Sequence, residues 1–193
     1  MKNLNSYGYT LIELLAVILV MVTVGGIITS ILVSALRGEN KTNASTQVRQ
    51  NGDAAISQMY KSIAYAKSFD GISIDNVNFD ISCVPGSPPA PTPTPTPSQY
   101  KFLKVTSFDG GQTTYACQNN TIASDSASAN SSLIDTTNLT VSNCFFTCTQ
   151  KDIRSAPTII INFTLQRNAS GLFENQSSIP FETSVNFRNY DAN

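Results

Sequence analysis

One stretch of this sequence limits the possible folds more than any other, because residues 14–36 contain no charged side chain. About 23 residues that rise 1.5 Å each make a helix of about 35 Å, which is long enough to cross the hydrocarbon core of a bilayer. Charged residues make up only 13% of the chain, against about a quarter in soluble domains. The sequence therefore predicts a transmembrane helix near the N-terminus and a polar, uncharged exported domain after it.

A secretory signal peptide is the alternative interpretation of this stretch. Val33-Ser34-Ala35 has the small residues of a cleavage site, and Lys2 would supply the charged start of a signal. However, the apolar run is longer than the roughly 7–15 residues of a signal's hydrophobic region, and the acidic Glu13 stands at its beginning. We therefore expect the segment to stay in the mature protein as a membrane anchor.

The residues before the apolar run form a recognisable motif. Gly8-Tyr9-Thr10-Leu11-Ile12-Glu13-Leu14 follows a short leader that contains Lys2. The motif resembles the prepilin motif of type IV pilins and type II secretion pseudopilins, in which Gly-Phe-Thr-Leu-Ile-Glu-Leu is the usual form. The resemblance implies that a prepilin peptidase cuts between Gly8 and Tyr9 and methylates the new N-terminal amine. Tyr9 replaces the more common phenylalanine but keeps an aromatic N-terminus.

The resemblance also implies a role for Glu13 and a set of partners. In a filament with bundled apolar helices, Glu13 can neutralise the free ammonium of a neighbouring subunit, so that both charges become tolerable at low dielectric. The alternative is an interfacial carboxylate that reaches the lipid headgroups. The implied partners are the prepilin peptidase, other pilin subunits and the inner-membrane assembly platform. The implied location is a single-pass membrane protein with an extracytoplasmic head, and a cell-surface filament after assembly.

The helix is expected to continue beyond the membrane. Apolar and small residues recur at steps of three and four, which predicts an amphipathic helix up to a break at Phe69-Asp70-Gly71. The residues of this stripe are Val48, Gly52, Ala55, Ile56, Met59, Ile63 and Ala66. Gly25-Gly26 marks either a soft point in the span or a site of close helix packing. The predicted division of the chain is a leader at 1–8, an assembly helix at 9–37, an amphipathic helix at 38–69 and a head at 70–193.

The head reads as β-strands. Tyr100–Ser107 and Gln112–Gln118 flank Asp109-Gly110-Gly111, which predicts a hairpin. Further predicted strands, rich in Val, Ile, Thr and Phe, are Asn138–Thr149, Pro157–Gln166 and Pro180–Asn189. We therefore predict an α+β fold in which a long N-terminal helix packs on a C-terminal antiparallel sheet.

Two segments of the head stand out. The C-terminal phrase from Val185 to Asn189 resembles the last strand of minor pilins and pseudopilins, and it places Val185 and Phe187 on the inward face. Prolines at alternating positions from Pro88 to Pro97 predict an extended polyproline II loop within residues 86–98. This loop is either a tolerated surface insertion or a spacer, glycosylated stalk or partner ligand. Because such a projection repeated on every subunit would crowd a filament, we expect a minor subunit.

All four cysteines, Cys83, Cys117, Cys144 and Cys148, follow the membrane segment. An even number on the exported side predicts two disulfides, with three possible pairings. Cys144 and Cys148 would be about 13 Å apart in one continuous strand, which is too far for a bond between them. We therefore favour pairing of each with Cys83 or Cys117. Zinc binding by four thiolates is the alternative, and we expect no metal.

Composition excludes several classes of function. The chain has no histidine, which excludes catalytic triads with histidine, and its net charge of −1 gives no global basic field that would attract nucleic acid. We expect no enzyme activity, no cofactor and no nucleic-acid partner. Two alternatives remain beside the filament subunit. One is a membrane-anchored adhesin that uses the proline segment as a stalk, and the other is a carbohydrate-active enzyme that uses Glu174 and Glu182.

Overall fold

The computed structural model describes residues 9–83, 99–126, 129–152, 154–167 and 176–188. Within these ranges the chain forms one α-helix followed by eight β-strands in two antiparallel sheets. The predicted α+β class is confirmed. The Pro/Thr-rich loop predicted at 86–98, the leader at 1–8 and Glu174 lie outside the described residues.

The helix, α1, runs from Leu11 to Ala64 without interruption over 54 residues. It begins after the extended Thr10 (φ −78°, ψ 150°), and it contains no proline that would remove a backbone donor. Gly25-Gly26 therefore does not break it. The predicted amphipathic stripe is confirmed, because Val48, Gly52, Ala55, Met59 and Ile63 are buried.

The predicted end of the helix was too late. The backbone leaves the helix at Tyr65, and the amide of Lys67 already donates to Thr106 O at 2.8 Å. The carbonyl of Ala64 accepts instead from the amide of Arg188 at 3.0 Å. Phe69-Asp70-Gly71 is thus not a helix stop but lies inside strand β1, Ser68–Ser73, because pairing with a neighbouring strand replaces the last helical turn.

Five strands form a meander, sheet A, in the order β1-β2-β3-β4-β5. The bounds are β1 Ser68–Ser73, β2 Phe102–Thr106, β3 Gln112–Gln118, β4 Thr121–Ser126 and β5 Ala129–Ser132. The predicted hairpin is confirmed as β2 and β3, and its turn contains Gly110 at φ 82°. A bulge between Phe69 and Gly71 interrupts the pairing of β1, and Gly71 takes a φ of 122° that favours glycine.

Three strands form sheet B in the order β6-β7-β8, with bounds Leu139–Thr149, Thr158–Arg167 and Ser178–Asn186. The three predicted C-terminal strands are confirmed, and Val185 and Phe187 are buried as predicted. Pro180 is tolerated because β8 is an edge strand. A bulge between Ser142 and Phe145 in β6 carries Asn143 at φ 50°.

The helix and both sheets share one core. The C-terminal half of α1 packs on β7 and β8, and β6 packs on β2, β3 and β4. Met59 and Ile63 of the helix, Leu103 and Ile122 of sheet A, and Phe163 of sheet B belong to the same buried cluster. The expectation of one sheet is therefore corrected to two sheets, which enclose the core together with the helix.

Candidate assembly helix

The N-terminal part of α1 is not covered by the other residues that the structure describes. Every residue from Tyr9 to Asn43 is exposed, and Leu11 and Ile12 expose 83% and 76% of their surface. Among the described residues, α1 is the one helix long and apolar enough to cross a membrane. Burial of each large apolar side chain stabilises by about 1.5–3 kcal/mol. This surface therefore requires lipid or other apolar helices around it.

Two threonines inside the span bond to carbonyls of the helix itself. The hydroxyl of Thr23 donates to Val20 O at 2.9 Å, and that of Thr29 donates to Gly25 O at 2.8 Å. A hydroxyl without a partner would be costly in hydrocarbon, whereas these bonds make both threonines compatible with it. Gly25 and Gly26 have nothing within 4 Å of an added Cβ, so they leave a flat surface that a neighbouring helix can approach closely.

Glu13 lies in the first turn of α1. The carbonyl of Thr10 accepts from the amides of Glu13 and Leu14 at 3.1 and 3.2 Å, while the Thr10 side chain makes no capping bond. A carboxylate at this end is favoured by the helix dipole. Tyr9, with 82% of its surface exposed, is two residues before the helix start. An amine on Tyr9 would thus be four residues before this carboxylate, at the edge of the apolar surface.

Charged residues return at the other end of the span. Arg37, Glu39 and Lys41 follow the uncharged run, and the ammonium of Lys41 donates to the carbonyl of Gln176 in the head. Ala44 is the first buried residue of the helix. If this helix crosses a membrane, the change from apolar to charged residues would place the membrane surface just before the point where the helix enters the head.

Both disulfides connect to strand β6. Cys117 of β3 bonds to Cys144, and Cys83 bonds to Cys148, with Cα–Cα distances of 5.5 and 5.4 Å. The first bond links the two sheets, and the second ties β6 to the segment that follows β1. Cys144 and Cys148 do not bond to each other, as the strand geometry predicted.

Two carboxylates of the head, Asp75 and Glu182, lie in different settings. Asp75 accepts hydrogen bonds from the amides of Val77 and Asn78 and from the hydroxyl of Ser73, and these bonds hold the pKa of its carboxyl well below the ordinary range. Glu182 is an exposed residue on the edge strand β8, opposite Asn162. The described residues contain no group of three metal-ligating side chains.

A surface contact that the sequence did not predict links the C-cap of α1 to the residues that follow β8. The guanidinium of Arg188 lies 4.9 Å from the centre of the Tyr65 ring and donates to the Tyr65 hydroxyl at 2.9 Å. The available signal was the C-terminal phrase, which contains Arg188.

Comparisons of the chain with protein-family models, with curated proteins and with solved structures found no match.

Proposed function

We propose that this chain is a structural subunit, a minor pilin or pseudopilin, of a type IV pilus or a type II secretion-like filament. The observation that carries the proposal is the single unbroken helix. Its first half exposes apolar residues on all sides, and its second half belongs to the core of the head. Such a helix suits a subunit that is stored in a membrane and later exchanges lipid for the helices of other subunits.

The exchange has a physical basis in the side chains of the span. Lipid and neighbouring helices are similarly apolar, so packing and polar pairing decide between them. Gly25 and Gly26 allow close approach, and Glu13 offers a carboxylate for the ammonium of a neighbour. An ammonium left unpaired in a helix bundle would cost about 3–5 kcal/mol. Pairing with Glu13 therefore favours the filament over the isolated subunit.

The proposal includes the processing enzyme and the assembly machinery. A prepilin peptidase cuts between Gly8 and Tyr9 and methylates the new amine, and an inner-membrane assembly platform receives the subunit. The head is extracytoplasmic, in agreement with the disulfides Cys83–Cys148 and Cys117–Cys144 that an oxidising compartment favours. The proline-rich insertion between Cys83 and Gln99 supports a minor rather than a repeated major subunit.

Mass spectrometry of the N-terminus, on protein from the native host, tests this function. We expect a chain that begins with a methylated Tyr9. Gly8→Leu should retain the leader because a bulky residue occupies the cleavage position, whereas the control Asn5→Ala should be processed normally. A mature chain that begins at Leu36, Arg37 or Glu39 would show that the apolar segment is a signal peptide. An uncut Gly8-Tyr9 bond would favour the anchored adhesin.

A further inference from the structure

A polar cavity lies where the two sheets meet. Its volume is about 160 Å³, and it is formed by the β3–β4 turn of sheet A and the bulge of β6 in sheet B. Asn119 and Asn120 take positive φ values of 49° and 58° in the turn, and Asn143 takes 50° in the bulge. The amide of Val141 donates to Asn120 O at 2.7 Å, which fixes the turn against β6.

Among the described residues that line the cavity, one carries a formal charge, and this charge is positive. Lys101 lines the cavity together with amides, hydroxyls and the Cys117–Cys144 disulfide, and no carboxylate is among the described lining residues. The Lys101 ammonium donates to Cys144 O at 2.6 Å, which uses one of its three N–H donors. Its backbone is held on both sides, because its amide donates to Ser73 O and its carbonyl accepts from the amide of Cys117. The charge is thus held in place before any ligand arrives.

Besides Lys101, the hydroxyl of Ser142 is a polar group of this cavity, and it has no partner among the described residues. The hydroxyl oxygen of Ser142, also a lining residue, is buried and makes no hydrogen bond to any described residue. Buried polar atoms are almost always paired, so this hydroxyl beside the cavity is left for a partner that the described residues do not supply. Ser142 and Lys101 together offer donors to an oxygen-rich anionic group.

The cavity continues into a groove on the outer face of sheet A. The groove has a volume of about 320 Å³ and shares Gln118, Asn119 and Thr121 with the cavity. This volume lies within the range of about 300–1,000 Å³ that is typical of ligand sites. Paired alanines on neighbouring strands, Ala116 and Ala123, form the floor. The other lining side chains are mostly neutral amides and hydroxyls, namely Asn76, Thr114, Asn130 and Ser132.

The one acidic residue of the groove stands at the end away from the cavity. Asp125 lines the groove four residues after Thr121 along β4, which is about 13 Å in an extended strand. A ligand that lies along the groove therefore meets positive charge at one end and negative charge at the other. A carboxylate is favoured in the cavity and disfavoured beside Asp125.

We propose that this surface binds an acidic oligosaccharide, with the carboxylate of a uronic or sialic acid unit in the cavity and neutral sugar units in the groove. Sugar hydroxyls both donate and accept hydrogen bonds, as do the amides and hydroxyls that line the groove. The Lys101 ammonium and the Ser142 hydroxyl supply donors for the carboxylate. This binding activity is independent of the proposed role in a filament, because none of its residues belongs to the assembly helix.

Isothermal titration of the full chain in lipid nanodiscs tests the proposal. The acidic probes are a hyaluronan tetrasaccharide, tetragalacturonate and sialyllactose, and chitotetraose is the neutral control. We expect at least one acidic probe to bind about tenfold or more tightly than chitotetraose, since a charge-assisted hydrogen bond is formed only with the former. Lys101→Met should abolish this preference. Lys104→Met is the matched control, because Lys104 packs on the Phe79 ring and lines neither the cavity nor the groove.

Several outcomes would overturn the proposal. Failure of all three acidic probes to bind at millimolar concentration would do so without any variant, even if Lys101→Met proved unstable. Equal binding of acidic and neutral probes would show that the Lys101 charge does not contribute to binding. Equal effects of Lys101→Met and Lys104→Met would show the same. Complete competition by acetate at the concentration of the oligosaccharide would show that the cavity binds small anions and that the groove does not recognise sugar units.

Discussion

At the scale of single residues, Gly52 determines how closely the helix approaches sheet B. A Cβ atom built on Gly52 would lie 2.1 Å from Cζ of Phe181 and 2.5 Å from two further ring atoms. The Phe181 ring is stacked in turn on Phe163, with centroids 5.1 Å apart. The apolar stripe predicted that Gly52 faces the core. It did not predict that a ring occupies the place of the missing side chain, because the partner is far away in sequence.

Gly52→Ala should therefore destabilise the head by about 1–3 kcal/mol, because overpacking displaces the Phe181 ring. The better helix propensity of alanine offsets this cost by at most about 1 kcal/mol. Gly38→Ala is the matched control, since Gly38 is in the same helix with nothing within 4 Å of an added Cβ. That control should be neutral or slightly stabilising. Denaturant unfolding of both variants in detergent measures the difference, and equal stabilities would show that the ring moves without cost.

Glu13 is the residue on which the proposed assembly depends. Glu13→Ala removes a charge from an apolar helix, so insertion in the membrane should be unaffected or easier. Incorporation into filaments should fall, because a neighbour's ammonium then loses its partner. The measurement is the ratio of this protein in sheared filaments to that in membranes at equal expression. Glu39→Ala, beyond the apolar run on the same helix, is the control, and an unchanged ratio for Glu13→Ala would make Glu13 an interfacial residue only.

At the scale of elements, the strands with strong apolar patterns could be predicted, and the others could not. β6, β7 and β8 alternate Val, Ile and Phe with polar residues, and the β2–β3 hairpin has a glycine turn. β4 and β5 were missed because Ala, Ser, Asp and Asn are poor strand formers, and pairing with β3 determines their conformation. β1 was missed because the helical stripe runs on to Ala66, and only its pairing with β2 ends the helix.

The candidate assembly site was predictable in the same uneven way. The uncharged run and the motif around Glu13 are each contained in one short segment. The apolar helix and its first turn could therefore be predicted from the sequence. The contact between Arg188 and Tyr65 joins residues 123 positions apart, and no local pattern specifies such a pair. It joins the C-cap of α1 to the chain that follows β8.

Strand β6 contributes Cys148 to one disulfide and Cys144 to the other. Replacing both cysteines of one bond leaves the other bond intact. Loops of 65 and 27 residues predict stabilisation of about 4 kcal/mol for Cys83–Cys148 and about 3.5 kcal/mol for Cys117–Cys144. Double replacement by alanine should lower the free energy of unfolding by these amounts, with the larger effect for the first pair. Guanidinium unfolding measures both. Alkylation of the unreduced, denatured wild type should label no cysteine, and any labelled pair would contradict the two bonds.

At the scale of the whole molecule, the exposed apolar segment and the folded head do not depend on each other for stability, although α1 belongs to both. The exposed segment from Tyr9 to Asn43 contributes no residue to the core, whereas the helix from Ala44 to Ala64 supplies one wall of it. This division lets the first unit exchange lipid for other helices while the second stays folded. The stability of the head should then be independent of whatever surrounds the N-terminal segment.

Truncation tests this independence directly. A chain of residues 38–193, exported to an oxidising compartment, should be soluble and monomeric, since it lacks the uncovered apolar surface. It should form both disulfides and unfold at the denaturant concentration of the full chain. A chain of residues 53–193 should lose about 3 kcal/mol or more, because removal of Val48 and Gly52 uncovers the Phe181 ring and the core beneath it. If both truncations were equally stable, the helix would not be a wall of the core. If residues 38–193 instead aggregated or unfolded, the head would need the apolar segment in order to fold. The subunit could then not leave the membrane with its head intact, which the proposed filament assembly requires.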